Sequence, residues 1–231
     1  MNRRISYNLT EFGEHGWLAQ VKSANDLVAA ALFVNAVAGA LRHLPGINDA
    51  VAGVDSVVLR FDPAVMAASA ARKCFEDTLN NTSLTLTPPQ RRIDIPVCYG
   101  GEYGPDLESL SKRLSFTNDD IIKKHASASY RVLTIGFAPG FMYLGPLDPA
   151  LHVERLETPR VRVPAGSVGI AGAMTGVYSL SSPGGWRIIG RTPRKLFNPD
   201  NDDPFTFSPG DEIRFSPIDE DRFHAMEQGE Q

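Results

Sequence analysis

Residues 161–190 read VRVPAGSVGIAGAMTGVYSLSSPGGWRIIG, a succession of short apolar runs interrupted by glycine and proline. The run FTFSPGDEIRFSPI at 205–218 has the same character. Short strands joined by tight Gly/Pro turns are typical of β-barrels. The sequence therefore predicts a mainly-β domain, built as a closed or partly closed barrel.

Glycine usage separates this domain from the earlier part of the chain. Ten of the 20 glycines fall between Gly136 and Gly190, and only five precede residue 99. The polar segment NNTSLTLTPPQRR at 80–92 carries Pro88 and Pro89 and is typical of a linker. We predict a small α+β domain over residues 1–88 and the barrel domain over residues 89–231.

The first domain alternates strand and helix patterns, which predicts helices packed on one face of a small sheet. Asn25-Asp26 offers an N-cap for its first helix. In chain order the predicted elements are strands at 5–9 and 17–21, a helix over 27–41, a strand at 56–61 and a helix from Asp62-Pro63 to about residue 79.

The second domain begins with local signals of a different kind. Thr117 and Asp120 have the spacing of a capping box, which predicts a helix reaching about Ser129. The remaining expectations are a strand at 93–97, a short helix over 106–114, a buried strand over 130–137 and a frayed tail from Asp219 onward.

Composition excludes several classes of protein. The chain has 231 residues, 42% of them hydrophobic and 22% charged, and a net charge of −4. An acidic chain without basic clusters is a poor nucleic-acid binder, and the most apolar stretch, residues 27–41, is too short to cross a bilayer. Two cysteines and five scattered histidines predict neither a disulfide scaffold nor a metal site. We expect a cytoplasmic protein.

One short motif requires caution. Residues 185–192, GWRIIGRT, fit the phosphate-loop pattern except that arginine replaces lysine. A phosphate loop connects a strand to a helix, whereas the middle of this segment has strand character and Thr192-Pro193 leads into no helical periodicity. The sequence therefore predicts a strand here, and no nucleotide site of that type.

The residue types that suggest a binding site lie in the barrel domain. Guanidinium groups capture carboxylates in two-point contacts, a histidine near neutrality moves protons, and aromatic side chains form the walls of apolar clefts. The candidates are Arg160, Arg162, Arg187 and Arg191, with His125 as a proton carrier and Phe137, Phe141, Tyr143, Tyr178 and Trp186 as the walls.

Longer blocks of sequence resemble a known family. The blocks are IPVCYGGEYGPDLESL (95–110), GFAPGFMYLGPLDP (136–149), TPRVRVPAGSVGIAG (158–172), SPGGWRIIGRTP (182–193) and SPGDEIRFSPI (208–218). They are similar to the signature blocks of the allophanate-hydrolase-subunit-1 family of carboxyltransferase domains. Members of this family include the B subunit of bacterial ATP-dependent 5-oxoprolinase and the kinase inhibitor KipI.

The resemblance implies a fold and an activity. The implied fold is an α+β N-terminal domain followed by a cyclophilin-like barrel. The implied activity is that of an ATP-dependent amide-bond hydrolase that opens 5-oxo-L-proline to L-glutamate, with ATP used by the complex. The implied partners are a related second subunit and, as a further option, a third catalytic subunit. The resemblance also implies that this chain is inactive alone.

Two alternatives to this activity remain open. One is a carboxyltransferase of a urea-degrading system, in which biotin would arrive on another protein because this chain has no Met-Lys-Met attachment site. The other is a KipI-like inhibitor of a histidine kinase.

The resemblance also implies roles for residues that match the family's blocks. We predict His125, Arg160 and Arg191 as catalytic residues. The predicted substrate-binding residues are Phe141, Tyr143, Arg162, Ser167, Tyr178, Trp186 and Thr192.

Overall fold

The structure is a computed structural model that describes residues 6–22, 26–83, 88–202 and 204–229. The chain divides into two compact units, which meet in sequence between Pro88 and Pro89. In the described ranges, no helix has both the length and the apolar character needed to cross a membrane.

The first unit is a sheet of four strands with two helices. Its antiparallel strands lie in the order β1-β2-β4-β3, and helix α1 packs on β3 and β4 with Phe33, Val34 and Val37 fully or almost fully buried. Its elements are β1 (Tyr7–Glu11), β2 (Gly16–Val21), α1 (Leu27–Leu41), β3 (Ile47–Ala52), β4 (Ser56–Phe61) and α2 (Ala68–Asn81).

The start of α1 is as predicted, whereas the start of α2 is not. The Asp26 carboxylate accepts a hydrogen bond from the Ala29 backbone N–H at 2.9 Å, and Asn25 and Ile5 lie outside the described residues. The helix predicted from Asp62 begins instead at Ala68, because Asp62 closes a turn: its side chain accepts from the Ala64 N–H. Strand β3 was not predicted.

The second unit contains a closed barrel of strands in the order β10-β7-β6-β13-β5-β12-β9, which confirms the predicted barrel. A separate two-stranded sheet, β11-β8, accompanies it. The elements are β5 (Arg92–Tyr99), α3 (Leu107–Leu114), α4 (Asn118–Ala126), β6 (Ser129–Ile135), β7 (Met142–Gly145), a 3-10 turn (Pro149–Leu151), β8 (Arg160–Val163), β9 (Ser167–Ala171), β10 (Met174–Val177), β11 (Ser182–Gly184), β12 (Arg187–Arg191), β13 (Glu212–Ile218) and α5 (Glu220–Glu227).

Strand β5 has one parallel and one antiparallel neighbour in the closed barrel. On one side β5 pairs in parallel with β13, from Arg92 opposite Glu212 to Cys98 opposite Ile218. On the other side it pairs antiparallel with β12, where a Cβ on Gly190 would lie 2.6 Å from a Val97 methyl carbon. Glycine is therefore needed at this strand crossing because a side chain would force the two strands apart.

Helix α4 has the predicted capping box. The Thr117 hydroxyl accepts from the Asp120 N–H, and the Asp120 carboxylate accepts from the Thr117 N–H, both at 3.1 Å. The predicted end at Ser129 is wrong, because the helix stops at Ala126 and Ser129 already belongs to β6.

The predicted frayed tail is also wrong. Residues 220–227 form α5, whose N-cap Asp219 accepts from the Arg222 N–H at 2.9 Å. Phe223 is completely buried, with its ring centroid 4.5 Å from that of Tyr103. This buried aromatic residue and the cap help to hold a helix whose other side chains are mostly polar.

Candidate functional site

A cavity of about 310 Å³ lies beside the barrel, where the two-stranded β8-β11 sheet faces the end of β7. This volume is at the lower end of the range for small-molecule sites. The residues that line it are Phe137, Phe141, Tyr143, Arg155, Pro159, Tyr178, Pro183, Gly184, Gly185 and Trp186.

The walls are five aromatic side chains arranged around Phe141. The Phe141 ring centroid lies 4.7 Å from Tyr143, 4.9 Å from Tyr178 and 5.6 Å from both Phe137 and Trp186. All four contacts are edge-to-face, the arrangement that aromatic pairs favour. The structure thus brings together the five aromatic residues that the sequence suggested as cleft walls.

Glycine allows these rings to approach the strands closely. A Cβ on Gly184 would overlap the Tyr178 hydroxyl, so no larger residue fits opposite that phenol. A Cβ on Gly176 would lie 3.1 Å from both the Phe141 and the Trp186 ring. These positions explain part of the glycine enrichment in local terms: the glycines make room for aromatic side chains.

The otherwise apolar lining contains three polar groups, the Arg155 guanidinium and the phenols of Tyr143 and Tyr178. The Arg155 guanidinium lies 5.9 Å from the centroid of the Trp186 ring. Burial raises the pKa of the Tyr143 phenol, and the Arg155 charge opposes that rise. Burial also raises the pKa of Tyr178, whose hydroxyl takes a hydrogen bond from the Trp186 backbone N–H. Both phenols therefore stay protonated at neutral pH and are available as donors.

Arg160 is engaged beside the cavity. Its Nη2 lies 2.7 Å from Oδ1 of Asp106, and Oδ2 of Asp106 accepts from the Ile188 N–H at 2.6 Å. Asp106 is 6% exposed, so this pair connects the start of α3 to β8 and β12 in a largely buried setting. The Arg160 side chain does not line the cavity; it holds β8, the strand that follows the lining residue Pro159.

His125 lies in the barrel core and away from the cavity. Its Nδ1 is 2.8 Å from the Tyr99 hydroxyl and its Nε2 is 2.8 Å from the Thr175 hydroxyl. Because the Thr175 hydroxyl donates its proton to the Gly169 carbonyl at 3.0 Å, Nε2 must carry the histidine proton and Nδ1 must accept.

The burial of His125 removes the predicted titration near neutrality. The residue is 0% exposed and stacks on Phe215 at 4.6 Å, and burial lowers its pKa to about 3. That prediction was wrong, because both ring nitrogens are already engaged in an environment that excludes the charged form. The predicted catalytic role of His125 stays a prediction without support from this geometry.

Arg191 is the last residue of β12, and its side chain contacts α5. Its guanidinium is 5.1 Å from the Tyr103 ring and 5.0 Å from the Phe223 ring, and its Nη2 is 3.6 Å from Oε1 of Glu227. These contacts hold α5 against the barrel. Arg191 was predicted as catalytic, but the structure does not bring it to the cavity.

The remaining predicted residues also lie outside the lining. Arg162 is exposed and donates to the Ser181 hydroxyl at 3.1 Å. Ser167 is buried in β9 with its backbone carbonyl bound by the Tyr178 N–H, and the buried Thr192 hydroxyl accepts from the Arg194 N–H. Their proposed part in substrate binding stays a prediction without support from this geometry.

The phosphate-loop-like segment forms a strand, as predicted. Its central residues 187–191 are β12, paired with both β5 and β9. The part of the chain that the structure describes also holds no group of three or more His, Cys, Asp or Glu side chains placed to bind a metal ion.

Sequence reasoning missed Arg155, the one charged residue among the described residues that line the cavity. It lies in the segment VERLETP, 153–159, between the 3-10 turn and the start of β8. This segment has no periodicity, so nothing in it distinguishes Arg155 from an ordinary surface arginine. Its position over Trp186 is visible only in three dimensions.

A family model supports the resemblance seen in the sequence. The model described as carboxyltransferase domain, subdomain C and D, matches residues 7–207. The chain belongs to this family. Every residue that lines the cavity falls inside the matched range, so the cavity lies within the part of this carboxyltransferase domain that the family model covers.

Two relatives with assigned names are similar over long stretches. The domain is 41% identical over 175 residues to the 5-oxoprolinase B subunit of Escherichia coli O157:H7, which covers 75% of this chain and 79% of the relative. It is 50% identical over 124 residues to the 5-oxoprolinase B subunit of Haemophilus influenzae, which covers 54% of this chain and 58% of that relative.

A solved structure shows a similar fold. The crystal structure of the K. lactis urea amidolyase superimposes with a TM-score of 0.83 over 98% of this chain and 16% of the much longer enzyme. The sequence identity is 20%, so this likeness shows the fold alone.

Proposed function

We propose that this carboxyltransferase domain is the B subunit of an ATP-dependent 5-oxoprolinase, which opens 5-oxo-L-proline to L-glutamate. The observation that carries the proposal is the identity to 5-oxoprolinase B subunits from two organisms, one of them matched over most of its length. The cavity supports it, because a small apolar space with one cation suits a compact ring that bears one carboxylate.

The net reaction consumes 5-oxo-L-proline, ATP and two waters, and it yields L-glutamate, ADP and phosphate. The lactam C–N bond breaks, a water oxygen becomes part of the new carboxylate, and the ring nitrogen takes up protons to become the ammonium. This chain's residues would bind and orient the ring, whose apolar face would pack against the aromatic walls around Phe141.

ATP is used by the complex, and we infer that it binds on another component of that complex. The segment with the phosphate-loop pattern is a paired strand, so its backbone N–H groups serve the sheet instead of a phosphate. On this view the chain is inactive alone and acts with a related second subunit and a third. We also infer that the barrel is of the cyclophilin-like type.

The test uses the tagged chain purified from its host with the proteins that accompany it. Glutamate formed from 5-oxo-L-proline is measured with and without ATP, first in the complex and then with each component alone. We expect glutamate only when ATP and all components are present.

Other outcomes point elsewhere. ATP-dependent carboxylation of urea without glutamate formation would favour the urea-type carboxyltransferase. A histidine kinase in the complex, inhibited at equal stoichiometry, would favour the regulator. Glutamate formed by the other components without this chain would overturn the proposal.

A further inference from the structure

Two groups at the cavity make no hydrogen bond or ion pair with any residue that the structure describes. They are the Tyr143 phenol and the Arg155 guanidinium, which both line the space and make no hydrogen bond or ion pair within the described ranges. The Tyr178 phenol, by contrast, is bound by the Trp186 backbone N–H. A donor that lines a cavity and has no protein acceptor is available to a ligand.

The arginines that the sequence singled out are engaged with the protein. Arg160 pairs with Asp106 at 2.7 Å, and Arg191 pairs with Glu227 at 3.6 Å. Arg162 donates to Ser181, and Arg187 makes a long contact of 3.4 Å to the Glu154 carbonyl. Among these five, Arg155 alone lines the cavity, and within the described ranges it makes a ring contact with Trp186 but no hydrogen bond or ion pair.

We propose that Arg155 binds the carboxylate of a small cyclic monoanion in this cavity, while the Tyr143 hydroxyl donates to the ring's carbonyl oxygen. The inference rests on the proposed function for the choice of ring, 5-oxo-L-proline. The aromatic walls pack against the ring's CH₂ groups, the guanidinium matches the planar carboxylate, and the phenol supplies the donor that a lactam oxygen accepts.

The same arrangement discriminates between substrate and product. At neutral pH 5-oxo-L-proline carries a single carboxylate, whereas L-glutamate carries two carboxylates and an ammonium. No carboxylate is among the described residues of the lining, so the glutamate ammonium finds no partner there, and its second carboxylate finds no second cation. Burying unpaired charges in an apolar space is unfavourable. The cavity therefore favours the closed ring and releases the opened product.

The experiment is a calorimetric titration of the full chain, without ATP, with four ligands. These are 5-oxo-L-proline, 2-pyrrolidinone (no carboxylate), cyclopentanecarboxylate (no lactam) and L-glutamate. The variants are Arg155→Ala and Tyr143→Phe. Arg92→Ala, an arginine on β5 whose side chain is 70% exposed, is the matched control.

We expect each variant to weaken binding only of the ligands that carry the group its side chain contacts. Arg155→Ala weakens 5-oxo-L-proline binding by about tenfold to a hundredfold, the range for a hydrogen-bonded charge, and leaves 2-pyrrolidinone binding unchanged. Tyr143→Phe weakens binding of 5-oxo-L-proline by roughly tenfold and leaves cyclopentanecarboxylate binding unchanged. L-Glutamate binds at least about tenfold more weakly than the closed ring, and Arg92→Ala binds like the parent chain.

The inference is overturned if Arg155→Ala binds 5-oxo-L-proline as the parent does, if L-glutamate binds as tightly, or if none of the four ligands binds. These failures are separate from failure of the proposed function. If the complex with Arg155→Ala forms glutamate from 5-oxo-L-proline and ATP at the parent rate, the proposed function stands and the substrate does not bind at Arg155. If the chain binds 5-oxo-L-proline at Arg155 but the complex forms no glutamate, the proposed binding site stands and the proposed function fails.

Discussion

Two regions of the barrel unit combine aromatic rings with titratable groups, and they use them in opposite ways. In the first, around His125, every polar atom of the ring is engaged: Tyr99 donates to Nδ1, and Nε2 donates to Thr175. In the second, the cavity around Phe141, Arg155 and Tyr143 make no hydrogen bond or ion pair in the described part of the chain.

The difference separates structural from functional chemistry. A buried polar network whose members are all satisfied fixes one arrangement of the strands that carry it. Polar groups at a concave surface that have no hydrogen bond within the protein can bind a ligand without breaking one. Residue type alone does not locate such groups: His125, of the usual proton-carrying type, is buried in the core, and Arg155, which no sequence pattern marks, lines the cavity.

The largest expected effect comes from replacing His125 by leucine. The change removes the acceptor of the buried Tyr99 hydroxyl and the donor to Thr175, so we expect a loss of about 3 kcal/mol in the free energy of unfolding. Urea denaturation of the full chain measures it. Lys112→Ala, an exposed helix position paired with Glu108, is the control and should change little.

Activity tests the same contrast. Glutamate formation per folded molecule should be unchanged in the complex that contains His125→Leu. A variant of normal stability whose turnover is abolished would restore His125 as a catalytic residue and remove the contrast between the two regions.

The next effect is the pH dependence of stability. The folded-state pKa of His125 is about 3, below the ordinary 6.5, so the unfolded chain binds a proton that the folded chain does not between these values. Above about pH 6.5 His125 is uncharged in both states and does not lower the stability. As the pH falls from 6.5 towards 3, proton binding to the unfolded chain lowers the free energy of unfolding by about 1.4 kcal/mol per pH unit.

A non-titrating variant isolates this contribution. Relative to His125→Gln, the free energy of unfolding of the parent chain should fall by about 2 kcal/mol between pH 7 and pH 5. Denaturation curves of both proteins at the two pH values give the difference. Equal slopes with pH in the two proteins would show that His125 binds its proton in the folded chain as readily as in the unfolded chain, so that its pKa is not lowered.

The smallest effect compares two phenols. Tyr99→Phe leaves Nδ1 of His125 without its donor and should lower the free energy of unfolding by about 1 to 2 kcal/mol. Tyr143→Phe removes a hydroxyl with no described partner and should change stability by less than about 0.5 kcal/mol. Thermal and urea unfolding of both variants measure these values, and equal losses would contradict the contrast.

Local signals predicted much of the secondary structure. Helix α1 and strand β4 have the predicted bounds, and the Thr117–Asp120 capping box is present. These features depend on residues close in sequence, since a cap or an amphipathic period is complete within a few residues. The five aromatic cleft walls were also grouped correctly, because all of them lie in or near the glycine-rich blocks.

What the sequence did not reveal depends on distant contacts. Helix α5 has a polar composition and is held by Phe223 packing on Tyr103, more than a hundred residues earlier. Because the sequence predicts a frayed segment after Asp219, it gives no sign that Arg191 contacts a helix there. The low pKa of His125 and the position of Arg155 at the cavity were not predicted for the same reason: both depend on which groups surround the side chain in the folded barrel.

The parallel pairing of β5 with β13 has a consequence for how the barrel forms. Glu212 lies opposite Arg92, about 120 residues earlier in the chain. Such a pairing must bring together two distant segments before its hydrogen bonds compensate for the lost chain entropy, which makes it slow. Until β13 arrives, one edge of β5 is unpaired and open to strands of other molecules. During synthesis β13 emerges after the other described strands of the barrel, so this edge of β5 is covered only once β13 pairs with it.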